Sequence, residues 1–173
     1  METIFAFRNS FRFFYIILLS IAGFQTVLAQ GPLESALLKN LHGKIQSFSQ
    51  ITQKDTMVLI CFWSTVSDPS IAELNAINQH YEQWQAGLKF RLMIVSIDDP
   101  KTASKIRPMV NMNEWTFDVY TDINGDLRRA LHADNLPESM ILKNGKLVYQ
   151  QSGYEAGSEN YLFQKLLTLS SAK

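Results

Sequence analysis

The sequence predicts an α/β fold, a mixed β-sheet with helices on both faces, preceded by an N-terminal leader. Three stretches carry that reading. "MVLICFW" (Met57–Trp63) is a continuous apolar run of strand length, as expected of a strand covered on both faces. "PSIAELNAINQHYEQWQ" follows. Its Ile71, Leu74, Ile77, Tyr81 and Trp84 recur at three- and four-residue steps, which gives one apolar helix face. "FRLMIVSID" is a second buried strand, so strand, helix and strand make a right-handed crossover unit.

The other elements are placed around this unit. "RNSFR" supplies Arg8 and Arg12, "FFYIILLSIAGF" an apolar stretch, and "VLA" a small-residue site before Gln30. Together they predict a secretory signal peptide over residues 1–29, cleaved after Ala29, with the folded domain over 30–173. The location that follows is periplasmic or secreted. A membrane span needs about 20 apolar residues, and Gln25 and Thr26 interrupt the run from Phe13. An uncleaved leader acting as a membrane anchor is the alternative. No cysteine directly follows the apolar run, so no lipid anchor on a cysteine is expected.

"SALLKNL-HGK-IQSFS" predicts two short strands around a turn at His42-Gly43. Gly87 suits the end of the long helix. "KTASKIRPMVNMN" is expected to be helical, with Pro108 kinking or dividing it. "TFDVYTD" predicts a short strand and "NGDLRRALHA" a short helix. "SMILK", Asn144-Gly145 and "KLVYQQ" predict an antiparallel hairpin, because Asn-Gly fits a type I′ turn. "SENYLFQKLLTLSS" closes the chain as an amphipathic helix capped by Ser158.

Charge excludes some partners. Sixteen lysines and arginines balance sixteen aspartates and glutamates, so nothing electrostatic favours nucleic acid or an anionic membrane surface. An exported chain enters an oxidising space where disulfides persist. Yet Cys61 is the one cysteine, so no internal disulfide can form and stability must come from packing. A buried inert thiol and a reactive or intermolecular one are both compatible with "MVLICFW".

The turn "STVSDPS" between the first core strand and its helix has a clear local meaning. Ser67 or Asp68 can cap the helix, and Pro69 suits the first helical position. Asp68 faces the positive end of the helix dipole. Ser70 and Glu73 have capping-box spacing.

At these residues a resemblance enters. "VLICFWSTVSDPSIAELNAIN" resembles the active-site segment of the thioredoxin-like disulfide reductases of the bacterial TlpA/ResA type, in the redoxin group. There the strand leads through Phe-Trp-Ala-Thr-Trp into Cys-x-Pro-Cys, with a glutamate three residues after the second cysteine. Phe62, Trp63, Thr65, Pro69, Glu73 and Leu74 match. Ser67 and Ser70 stand at the two cysteine positions and Val66 at the tryptophan. "IVSIDD", "VYTDINGDLRRALHADNLP" and "NLPESMILKNGKLVYQ" extend the likeness over roughly residues 33–169, with Pro137 at the family's cis-proline position. The resemblance implies a thioredoxin-like fold. It also implies a binding groove formed by Trp63, Thr65, Val66, Ser67, Asp68, Pro69, Ser70, Glu73, Leu136 and Pro137, where an extended peptide pairs with exposed backbone.

The departure falls on the chemistry. Thiol–disulfide exchange needs a thiolate and a second thiol to resolve the mixed disulfide. A helix N-terminus lowers a cysteine pKa towards about 3.5–7.5, but cannot usefully ionise a serine hydroxyl. Cys61 lies six residues upstream of Ser67 and has no partner. Dithiol–disulfide cycling within one molecule is therefore excluded by composition. Ser67 and Ser70 are vestigial positions, and no catalytic residue is assigned. Glu73 is expected to cap the helix rather than to serve a thiol.

Other chemistries find little support. A serine hydrolase needs an adjacent base and an orienting acid, and His42, His80 and His132 lie in no such context. No metal-ligand spacing is present, so no metal is expected. "SIDDP" (Ser96–Pro100) is expected to be a strand-end turn with solvated acids. Glycine loops for phosphate are absent, so no cofactor is expected.

Three functions compete. The first is a redox-inactive exported protein that binds a peptide segment or partner protein through the former active-site groove. The second is a thiol-disulfide oxidoreductase of cell redox homeostasis using Cys61 with a partner's thiol. The third is a structural remnant with no site. Nucleic acid is not expected as a partner, and membrane only if the leader stays.

Overall fold

The computed structural model describes residues 31–52 and 57–171. The predicted signal peptide lies outside the described residues. No helix among the described residues is long and apolar enough to cross a membrane.

Among the described residues, seven strands form one sheet in the order β2-β1-β5-β4-β3-β6-β7. They are β1 (Leu37–Asn40), β2 (Ile45–Ser47), β3 (Met57–Trp63), β4 (Arg91–Ser96), β5 (Val119–Asp122), β6 (Glu138–Lys143) and β7 (Lys146–Ser152). β3, β4 and β5 run parallel, while β1, β2, β6 and β7 join antiparallel. The helices are α1 (Pro32–Ser35), α2 (Phe48–Thr52), α3 (Asp68–Gly87), α4 (Ile106–Met112), α5 (Asp126–Leu131) and α6 (Ser158–Ser171).

β3 is an inner strand between β4 and β6 and is buried along its whole length, which explains why its sequence does not alternate. Its side chains still alternate between two cores. Met57, Leu59, Cys61 and Trp63 meet Leu74, Ile77 and Trp84 of α3, Val110 of α4, and Leu162 and Leu166 of α6. Val58, Ile60 and Phe62 meet Phe48 of α2 and Leu127 and Leu131 of α5 on the other face. The predicted apolar stripe of α3 is the one that packs, with Ile71 and Tyr81 half-buried at its margin.

The β1–β2 turn and the β6–β7 hairpin form as predicted. Asn144 and Gly145 both take positive φ, 51° and 74°, as a type I′ turn requires.

Two local expectations are corrected. Pro108 neither kinks nor divides its helix. It sits in the first turn of α4, where a missing N–H leaves no hydrogen bond unmade; the break is upstream, as a 3-10 turn at Ala103–Lys105. Nor does Ser158 cap α6, for it is the first residue of the helix and its buried Oγ has no partner. Glu159 serves the helix start instead, its Oε2 accepting from the Gly157 N–H at 3.0 Å.

Candidate functional site at the start of helix α3

Parallel strands end their run at one edge of the sheet, and crossover loops gather there. β3 ends at Trp63, and the next residues must turn out of the sheet into α3. The antiparallel pairing of Phe62 with Glu138 sets the start of β6 beside that exit. Leu136 and Pro137 therefore adjoin the turn Ser64–Ser67. The Leu136–Pro137 peptide bond is cis.

The turn is pinned from below by Asp98. Its carboxylate accepts from the Thr65 N–H at 2.9 Å, the Thr65 hydroxyl at 2.6 Å, the Ser64 hydroxyl at 3.1 Å and the Ser96 hydroxyl at 2.8 Å. Burial pushes this carboxyl up, but the bonds from Thr65 and Ser96 outweigh it and hold it below the usual range. The expectation of solvated acids in "SIDDP" is thus half wrong. Asp98 is buried, and Asp99 alone serves the exposed turn, accepting from the Lys101 and Thr102 N–H groups. Asp98→Ala strands the Thr65 N–H and the Thr65 and Ser96 hydroxyls together, so it should destabilise the fold by about 3 kcal/mol in urea unfolding. A loss under about 0.5 kcal/mol, the scale of an ordinary surface change, would contradict this account of the turn.

Ser67 is the cap of α3. Its Oγ accepts from the Ser70 N–H at 3.4 Å and from the Ser70 hydroxyl at 2.7 Å. Pro69 follows one position later than predicted, second in the helix. Ser70, fully buried, is the third helical residue, so the capping-box partner position falls on Ser70 and not on Glu73.

Glu73 is the main correction. It does not cap the helix; its side chain runs inward, 1% exposed. Oε1 accepts from the Ser139 hydroxyl at 3.1 Å, and Oε2 has no partner. Burial raises its pKa to about 7, Ser139 opposes that rise, and Glu138 and Glu159 add to it. A buried acid and a solvent-facing capping acid share one spacing in sequence, so spacing could not separate them. The sheet partner Ser139 can be read only from the fold.

The ten residues expected to line a groove divide into two sets. Val66, Asp68 and Pro69 are exposed, and Ser67 and Leu136 are half-buried. Trp63, Thr65, Ser70, Glu73 and Pro137 are buried beneath them. Trp63 stacks edge-on against Trp115 at 5.0 Å, its Nε1 unpartnered. Above this floor, Val66 is an isolated apolar side chain, 67% exposed. The Pro137 carbonyl is taken by the Gly153 N–H at 2.8 Å. The backbone N–H and C=O of Leu136 have no partner among the described residues.

The histidines are elsewhere. His42 is in the β1–β2 turn, His132 ends α5, and His80 stacks on Trp84. His80 lies ten residues along the helix from Ser70, or about 15 Å. None of the three histidines hydrogen-bonds either serine, whose hydroxyls bond to each other. Cys61 is fully buried in β3. Burial first, then Glu73, raises its thiol well above the usual range.

The AhpC/TSA family model matches residues 31–151. The chain belongs to the AhpC/TSA family. A thioredoxin-like protein from Porphyromonas gingivalis is 36% identical, with a TM-score of 0.69, over 79% of this chain and 90% of that one. Two further structures share the fold of this AhpC/TSA chain at lower identity. A thiol:disulfide interchange protein DsbE from Chlorobium tepidum is 22% identical, with a TM-score of 0.65, over 76% of this chain and 90% of that one. StoA from Bacillus subtilis is 20% identical, with a TM-score of 0.61, over 74% and 94%. Among curated proteins none matches. The fold is thioredoxin-like, as the order of motifs implied.

Proposed function

We propose that this AhpC/TSA chain is an exported thioredoxin-like protein of the TlpA/ResA type that carries serines at the redox positions. In this reading it performs no dithiol chemistry and binds an extended peptide segment of a partner protein. The observation that carries the reading is the Leu136 backbone, whose N–H and C=O are left without partners beside exposed Val66 and the Ser67 cap. A strand can bond to such groups without any cysteine. Val66 offers an apolar anchor, and Ser67 keeps its own proton to donate, since its oxygen accepts from Ser70.

A panel of fluorescent extended peptides tests this. Micromolar binding is expected, with new protection of the Leu136 amide and about tenfold weakening by Val66→Asp. No binding by any peptide at high micromolar concentration would remove the binding claim and leave a structural remnant.

The reading that uses Cys61 with a partner's thiol meets an obstacle in the burial of the sulfur. Thiol reagents at neutral pH should label Cys61 only after denaturation. Rapid labelling of the native protein would revive that reading.

A further inference from the structure

Beneath the turn, one acidic side chain bridges two separate elements. Glu73 belongs to the second turn of α3, and Ser139, its hydrogen-bond donor, follows Pro137 and Glu138 in β6. The bridge therefore ties the helix that presents Val66–Pro69 to the strand that presents Leu136. Among the described residues, everything titratable that faces Glu73 is acidic or neutral. β3 brings Cys61, β6 brings Glu138, α6 brings Glu159, and the segment before α6 brings Tyr154. No lysine or arginine stands among them. Glu138 is itself buried and held by Gln150 and Ser152, and Glu159 is held by Tyr154 and Gly157. Neither can turn away to relieve a second negative charge.

A neutral Glu73 fits this setting, and an ionised one does not. Its Oε2 has no donor, and a buried carboxylate without donors is costly. Water is the group that could supply them.

We propose that Glu73 is a proton-operated latch: neutral, it holds the first turns of α3 against β6, and ionised, it admits water between them and loosens the surface formed by Val66–Pro69 and Leu136. The inference rests on the binding reading only for its consequence, that peptide affinity falls as the latch opens. The conformational part stands alone. Glu73 is a positioning residue here, since it acts through the two walls and touches no ligand.

The test is an NMR titration of the protein from about pH 5 to pH 9, bracketing the pH near 7 at which Glu73 titrates. Three signals are read: the Glu73 carboxyl carbon, the backbone amides of Val66–Ser70 and the amides of Glu138 and Ser139. Both sets of amides should move with the carboxyl. Exchange protection of the Ser70 and Ser139 amides, corrected for intrinsic exchange, should fall by about tenfold across the transition. Glu73→Gln should abolish the transition and keep the protected state at every pH. Two other variants keep the test sharp if that one folds poorly. Ser139→Ala removes the bond that favours ionisation and should raise the midpoint. Glu159→Gln removes a repelling neighbour and should lower it.

The latch is overturned if the Glu73 carboxyl titrates while the amides of both walls stay fixed, or if the transition survives in Glu73→Gln. A peptide from the panel, titrated in parallel, separates the two claims. Moving amides with no peptide bound at any pH sink the binding reading and support the latch. Peptide binding with unmoved amides does the reverse.

Discussion

Ser67→Cys combined with Ser70→Cys should yield a protein that closes an internal disulfide in air and reopens it with a dithiol. The two Oγ atoms already stand 2.7 Å apart, so a small adjustment reaches the S–S length of about 2.05 Å. The position also sets the chemistry. The residue at 67 caps α3 and is half-exposed, while the residue at 70 is buried one turn in. The first would be a thiolate favoured by the helix N-terminus and open to a substrate disulfide. The second would be the resolving thiol. Loss of the serine cap costs about 1 kcal/mol, which the core should tolerate. Disulfide reduction should then appear in the double variant, while neither single variant turns over. After oxidation and denaturation, thiol counting should find Cys61 alone. Two further reactive thiols in that sample would show that the serines do not occupy a dithiol geometry.

The second large effect is on stability against pH. Glu73 has a folded-state pKa of about 7 against an ordinary 4.5. An acid raised by folding binds more protons folded than unfolded, so stability declines as pH rises. The decline begins near pH 4.5 and is complete above about pH 7, where both states are ionised. At 1.36 kcal/mol per unit, the shift amounts to about 3 kcal/mol. Glu73→Gln should remove this decline. The variant should therefore gain on the native chain by about 3 kcal/mol between pH 4.5 and pH 8. Comparing the two proteins at each pH cancels Asp122, whose carboxyl is also raised by burial, and Asp98, whose carboxyl is lowered. Urea unfolding at the two pH values measures it. A constant difference between the proteins would show that Glu73 stays charged in the fold.

Most of the scaffold could be read from local pattern. An unbroken apolar run identified β3 to the residue, because a strand buried on both faces has no polar position to confuse the pattern. The three-and-four spacing of Ile71 to Trp84 fixed the buried face of α3. Asn144-Gly145 fixed the hairpin because few dipeptides accept two positive φ angles. What failed depended on context outside the local pattern. Pro108 was read as a breaker because its place in the helix was unknown. Asp98 looked like a turn acid until Thr65, 33 residues away, was seen to donate to it twice. Glu73 looked like a capping acid for the same reason, since its donor Ser139 is 66 residues distant. The division of the ten expected groove residues into an exposed rim and a buried floor needed the layers of the fold.

The central proposal is that hydroxyls at positions 67 and 70 leave this AhpC/TSA chain without disulfide chemistry. Turnover of a fluorescent disulfide peptide by the purified native protein, with excess dithiol as reductant, measures it directly. The rate should equal that of the dithiol alone. Acceleration that scales with protein concentration and is abolished by Cys61→Ala would contradict the account.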